Sequence, residues 1–336
     1  MKLAVFAFTR RGCQIAARTR EVLKPEECRI FAPEKFGASG FEPYHPPLAG
    51  FMEPVFAWAD EIVFIGSTGM AVRAIAPWVA DKKHDPGVVT VDEGGHFVIS
   101  LLSGHIGGAN RLARQLAQAL DAQPVVTTAT DVNGKFSPDE WATRNGLTIE
   151  SMAACKAVAA ALLEGDVPMV CDFPIASPLP GGVYLGDSGD IGIYIGWRNL
   201  HPFHMTLRLI PKVLDLGIGC RRGVGEEQIA GAVAAVLGDI PLEAVRQAAS
   251  IELKKDEPGL LAFCAHHGFP AMFYSAQELR QVPGDFPASQ RVLAVTGVDN
   301  VCQRAAMAEG GTCIIEKTAS GGVTVSVAQI EWEAVF

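Results

Sequence analysis

The sequence predicts an α/β protein with an N-terminal open, mostly parallel α/β domain (residues 1–125), a small α+β middle domain (126–210) and a C-terminal α/β sandwich domain (211–336). Three observations predict it. Apolar runs of strand length alternate with helix-length segments, the pattern of parallel strands joined by right-handed crossovers. The length of 336 residues exceeds the size at which one core keeps growing. With 49% hydrophobic and 19% charged residues, the chain has apolar surface for several cores and lacks the composition of a disordered one.

Lys2–Phe8 is a short apolar run followed by a turn at Thr9–Gly12 and an amphipathic stretch to Leu23, hence strand, loop and helix. Proline and glycine thicken between Pro33 and Pro54, where an irregular surface excursion, lid-like in character, is expected instead of a helix. The pattern resumes with a strand at 61–66, a tight loop at Ser67–Gly69 and a helix at Met70–Val79. It repeats with a strand at His96–Leu102, the Gly-rich loop 103–108, a helix at Ala109–Leu120 and a strand at Gln123–Thr130. The middle domain reads as an alanine-rich helix, Met152–Leu163, with strands at 168–173, 181–186 and 191–196. Lys212–Gly219 opens the last domain as a strand, followed by a helix at Glu226–Leu237 whose first turn carries two glutamates suited to the helix dipole. Further helices are expected at 259–267 and 298–309, and strands at 271–274, 291–296, 312–316 and 322–328.

Composition excludes several function classes. A formal charge of −9 argues against a nucleic-acid partner, because phosphate affinity comes mainly from lysine and arginine. No long uninterrupted apolar run calls for a membrane, and Arg10 and Arg11 follow the first apolar stretch in the reverse of a secretory signal's order, so a cytoplasmic location is expected. Eight cysteines without a CxxC pair fit reduced thiols better than disulfides or a zinc site. Proline between His201 and His204 keeps them off a common helical face, and no metal site is expected.

The chemistry-bearing residues gather at strand ends. Gly66, Ser67, Thr68, Gly69 and Arg73 form one small-residue junction, and Ser103, Gly104, Gly107, Gly108, Asn110 and Arg111 form another. Amides at a helix start bind anionic oxygens, although such glycines also serve left-handed turns. Neither loop has the spacing of a nucleotide-binding motif. His105, inside the second loop, can take a proton from water or merely bond to backbone. Glu93, beside Asp92 before two glycines, is either a second candidate base or part of a hairpin turn. Asp131, Asn133 and Lys135 offer a carboxylate, an amide and a cation at one sheet edge, or an Asx-type turn with a surface charge. In the last domain Cys220 is either a thiol of lowered pKa or a loop thiol beside the anion-binding Arg221 and Arg222; Lys317, Ser320, Gly321 and Gly322 make a second anion-friendly loop.

In their shared order, GSTGMAVRAIAP, DPGVVTVDEGGHFVISLLSGHIGGANRLA, TTATDVNGKFSPDEWA, GIGCRRG and EKTASGGVTVSVA resemble the successive motifs of the cobalt-precorrin 5A hydrolase family, known as CbiG. The resemblance implies opening of the δ-lactone of cobalt-precorrin-5A by water and release of acetaldehyde, giving cobalt-precorrin-5B in anaerobic cobalamin biosynthesis. It implies no cofactor, since cobalt arrives inside the substrate, and it leaves open a homodimer and contact with neighbouring precorrin methyltransferases. Lactone hydrolysis needs a base near the water and donors around the oxyanion. His105 or Glu93 is expected to be that base, with Asp131 as a further candidate and the amides of residues 104–108 holding the oxyanion. Arg73, Arg111, Lys135, Arg221, Arg222 and Lys317 are expected to pair with peripheral carboxylates. The alternative is a non-catalytic corrinoid carrier, which would use the same loops without a base.

Overall fold

The computed structural model describes residues 1–36, 40–44, 47–81 and 84–336. Contacts divide them into two compact units, Met1–Thr143 and Arg144–Phe336. This division groups residues 126–143, expected in the middle domain, with the first unit. Residues 126–143 stay with the first unit because side chains from them bond to its 103–114 segment.

The first unit runs β1 (Lys2–Ala7), α1 (Arg10–Leu23), β2 (Glu27–Ala32), β3 (Phe41–Pro43), α2 (Leu48–Trp58), β4 (Glu61–Ile65), α3 (Thr68–Ile75), β5 (Gly87–Val91), β6 (Phe97–Leu102), α4 (Ala109–Leu120), β7 (Gln123–Val125), α5 (Ala129–Val132) and α6 (Pro138–Arg144). Its seven-stranded sheet has the order β3-β2-β1-β4-β5-β6-β7. All pairings are parallel except β5 with β6, which form an antiparallel hairpin. Both faces are covered, so β1 and β4 read as continuous buried runs instead of alternating ones. On one face Leu3, Val5, Val63 and Ile65 pack under α1 and α4; on the other Phe6 stacks between Phe31 and Phe64 at 4.8 and 5.0 Å beneath α2 and α3.

This packing overrides local propensity at α2. The irregular excursion expected over Pro33–Pro54 is corrected from Leu48 onward to a helix with Pro54 inside it; the calls on residues 37–39 and 45–46 lie outside the described residues. Met52 and Val55 are buried and Phe51 meets Phe6 and Phe31 edge-on, a gain in apolar burial that offsets the backbone bond a mid-helix proline removes. The strand expected over Gln123–Thr130 stops at Val125, and the helix expected from Met70 starts at Thr68.

The second unit continues with β8 (Thr148–Ile149), α7 (Met152–Glu164), β9 (Val167–Cys171), β10 (Val183–Leu185), β11 (Ile191–Ile195), β12 (Met205–Ile210), β13 (Leu214–Cys220), α8 (Glu226–Leu237), β14 (Val245–Ile251), α9 (Pro258–His267), β15 (Ala271–Tyr274), α10 (Ala276–Gln281), α11 (Gln290–Thr296), α12 (Val301–Ala306), β16 (Thr312–Ser320) and β17 (Val323–Gln329). It holds two sheets, β10-β9-β11-β12-β8 and β15-β14-β13-β17-β16. The C-terminal tail ties them together: Ala334 bridges to Ile175, Trp332 meets Phe173 edge-on at 4.9 Å, and the Trp197 indole donates to Gln329 at 2.9 Å. The strand expected at 291–296 is a helix. The Ser289 hydroxyl caps its start by accepting from the Val292 amide, and Gly297 ends it in the left-handed conformation.

Candidate functional site

The β5–β6 hairpin decides which motifs can meet. The Gly66 amide donates to Val91 at the end of β5, which sets the 66–69 junction at that edge of the sheet. Leu102, the last residue of β6, pairs with Val88 at the start of β5. The 103–108 loop thus leaves the opposite edge, separated by three residues of strand or about 10 Å. Gly66, Ser67, Thr68, Gly69, Arg73 and Glu93 belong to the first edge; Ser103, Gly104, His105, Gly107, Gly108, Asn110, Arg111, Asp131 and Lys135 belong to the second. The two glycine-rich loops, and the two alternative bases His105 and Glu93, therefore lie at opposite ends of these strands.

At the first edge Glu93 is exposed in the hairpin turn. Its neighbour Asp92 organises that turn: burial would raise its pKa, but the amides of Phe97, His96 and Gly94 together hold the carboxyl below its ordinary value. Arg73 is exposed, with only a long 3.4 Å contact to the Gly69 carbonyl. These residues are solvated and lightly held.

The second edge is built differently. Ser103 adopts φ 53° and Gly108 φ 80°, and the carbonyls of Ser103, Gly104 and His105 accept from the amides of Ala109, Asn110 and Gly108 at 3.2, 2.9 and 2.9 Å. The amides of residues 104–107 have no protein acceptor among the described residues. A Cβ on Gly104 would stand 2.6 Å from the Asn110 side-chain oxygen, so any other residue there would displace the Asn110 amide. His105, with its side chain 15% exposed, lies between two carboxylates: Nε2 reaches Asp131 Oδ2 at 3.1 Å and Nδ1 reaches Asp139 Oδ1 at 3.2 Å. The hydroxyls of Thr130 and Ser137 approach Nε2 at 3.3 Å. Burial alone would lower the pKa of His105, but hydrogen bonds and charge from Asp139 and Asp131 reverse this and raise it. Each ring nitrogen thus faces a carboxylate, an arrangement that favours the protonated imidazole.

Asp131 is oriented in turn. It accepts from Asn110 Nδ2 at 2.9 Å and from Arg114, while Asn110 also donates to Thr128 at 3.0 Å and accepts from Ser100 at 2.7 Å. Sequence reasoning placed His105, Asp131 and Asn110 here but missed Asp139, Thr130, Ser137 and Arg114. The stretch TTATDVNGKFSPDEWA contained three of these four, and Asp139 was readable only as an acid in the first turn of a helix. His105, Asp131 and Glu140 each bring a donor atom within 4.8 Å of the others, a set whose chemistry would suit a divalent cation. Arg114 already pairs with Asp131 in this arrangement.

In the last sheet, β13 delivers Cys220 opposite Val323, and the Arg221 amide donates to the Gly322 carbonyl at 2.9 Å. Residues 220–222 and 320–322 therefore meet at one sheet end, with Arg221, Arg222, Ser320 and Gly321 exposed and Lys317 half-buried on β16. Glu257 fixes the turn by accepting from the Gly223 amide at 2.5 Å and from Lys254 at 2.9 Å. The activated-thiolate reading of Cys220 is corrected: burial raises its pKa, and the nearby Lys254 does not reverse that.

A largely enclosed histidine between two carboxylates, beside open amides and two arginines, is an arrangement suited to proton transfer in an α/β enzyme. The family described as Cobalamin synthesis G N-terminal matches residues 50–131, and that described as Cobalamin synthesis G C-terminus matches residues 214–328. A cobalt-precorrin-5A hydrolase of Priestia megaterium is 32% identical, with 98% of this chain and 95% of that one covered. One from Salmonella typhimurium is 35% identical, with 97% of each covered. The protein CobE of a Sinorhizobium species is 31% identical over 34% of this chain and 79% of its own. The chain belongs to the cobalt-precorrin-5A hydrolase family. Among the described residues no helix is long and apolar enough to cross a membrane.

Proposed function

We propose that the chain hydrolyses cobalt-precorrin-5A, opening its δ-lactone with water and releasing acetaldehyde, and that the His105 cluster is where this happens. The observation that carries the assignment is the doubly paired imidazole beside the open amides of residues 104–107. It changes the role expected of His105. A histidine already carrying both protons donates before it accepts.

Water attacks the lactone carbonyl, and its proton passes to a carboxylate of the cluster, Asp131 or Asp139. The amides of residues 104–107 receive the oxyanion. As the tetrahedral intermediate collapses, the C–O bond breaks and His105 protonates the departing ring oxygen. That oxygen is now a hydroxyl on the carbon to be lost. The neutral imidazole takes the proton back as the carbon–carbon bond breaks; the oxygen leaves as the carbonyl of acetaldehyde and the electron pair stays on the macrocycle. One residue at one oxygen serves both steps. Arg111, Arg114 and Lys135, at the same edge, are suited to peripheral carboxylates. The cobalt travels with the substrate, and the steps need only water and protein groups.

The test is timed acetaldehyde release from cobalt-precorrin-5A by the wild-type chain and His105→Ala. Release by the first and its loss in the second is the expected result. Binding without release by the wild type would favour the carrier.

A further inference from the structure

Glu61 opens β4 at the sheet edge that carries the 103–108 loop; its register partner on β5 is Gly87. It shares a strand face with Val63 and Ile65, which pack under α4. Its side chain is only 3% exposed, an uncommon place for a carboxylate. One oxygen, Oε1, accepts from Arg111 Nη2, while the other, Oε2, is buried without a partner. The Ser103 hydroxyl is likewise buried and unpartnered, on a residue in the left-handed region. Two of the three such side-chain atoms among the described residues thus lie against one loop. Unsatisfied buried groups and strained backbone are costs that folds retain at working sites.

Gly108 sits over this pair. At φ 80° it starts α4, and a Cβ there would come within 3.1 Å of Glu61 Oε1 and 3.2 Å of Arg111 Nη2. The glycine is required by backbone conformation and by the two side chains beneath it. Arg111 donates from Nη2 to Glu61 and from Nη1 to Gln115 at 3.0 Å. A guanidinium has five N–H groups, so three remain, on a side chain that is 43% exposed. Burial pushes the Glu61 carboxyl up to about 7, against the pull of the Arg111 charge.

We propose that Glu61 is a positioning residue for substrate: from beneath Gly108 it aims the unused N–H edge of Arg111 at a peripheral carboxylate of the tetrapyrrole lying beside His105. This deepens the hydrolase reading and rests on it. Glu61 also lies under the start of α4, whose N-cap has no side chain. A role confined to that helix end would be structural and would not depend on Arg111.

A double-mutant cycle separates these roles. KM and kcat for acetaldehyde release are measured in Glu61→Gln, Arg111→Gln and the double variant, alongside the Kd of uroporphyrin III, a metal-free tetrapyrrole octacarboxylate. Glu61→Gln should raise KM and Kd about tenfold with kcat within about twofold, and the double variant should match Arg111→Gln alone. Independent effects of the two substitutions, an unchanged KM, or a fall in kcat alone would overturn the proposal. Should Glu61→Gln fail to fold, Arg111→Gln decides by itself: unchanged KM and Kd would leave Glu61 nothing to position. If the wild type releases no acetaldehyde, the hydrolase reading fails while the uroporphyrin arm still judges the pair.

Discussion

The two edges of the first sheet present similar sequences to very different effect. At one, Gly66–Gly69, Arg73 and Glu93 supply glycines, a cation and a carboxylate that are solvated and loosely held. At the other, Ser103–Gly108 supplies the glycines and a histidine, α4 and α5 supply the arginines and Asp131, and His105 and Asp131 are largely enclosed, each with charged partners on more than one side. The contrast teaches that a glycine-rich strand end becomes an enclosed cluster of charged groups when distant segments converge on it. Here α5 and α6 converge on the second edge only.

The largest expected effect breaks the comparison outright. His105→Ala should lower the rate of acetaldehyde release by about 10²–10⁴-fold, the usual worth of a positioned acid or base, while Glu93→Gln stays within about twofold. Equal losses would erase the distinction between the edges. Next comes Asp139→Asn, which removes the negative charge facing Nδ1 and should cost about 10–100-fold, as weakening of an orienting partner does at other sites. The pKa of His105 is raised in the fold, so its proton, and the stability its ion pairs give, are present at low pH and lost as pH rises through the folded value. Without Asp139 that value falls, and the alkaline limb of the pH–rate profile should move to lower pH. A limb that stays put would show that another group sets it.

A stability measurement sharpens the picture without substrate. Glu61 has a folded pKa raised to about 7, so its burial costs stability as pH rises from the ordinary carboxylate range to about 7, and the cost levels off above that. Arg111→Gln should extend this loss to higher pH, amounting to about 2 kcal/mol at pH 8 after discounting for the exposure of Arg111. Urea melts at pH 6 and pH 8 give the comparison, and parallel losses at both would contradict it. The smallest effect belongs to Arg73→Gln, whose KM should change by less than about threefold, in keeping with a solvated cation.

Much of the second edge was legible. A histidine in a glycine-rich loop and an aspartate after a strand are local signals, and the resemblance to the family rested on the order of such signals along the chain. Their grouping was less so. The strand at Gly87–Val91 does not figure among the expected elements, and each unread strand reverses the edge to which the following loop is assigned. Asp139 had no local mark beyond a helix start, because its partner lies 34 residues earlier. Likewise α2 forms against proline content because an aromatic layer waits for it, and α11 is set by caps at Ser289 and Gly297 that outweigh the β-branched residues between them.

The antiparallel pairing of β5 with β6, the first sheet's only one among the described residues, has a practical consequence. Its turn at Asp92–Gly95 faces away from the histidine, across the full depth of the sheet. A short peptide tag, a fluorophore or a pair of new chain ends placed there would sit at the strand ends remote from His105, where an exposed tip accepts insertion best. The reversal that hid the arrangement thus marks a place from which turnover can be watched without touching it.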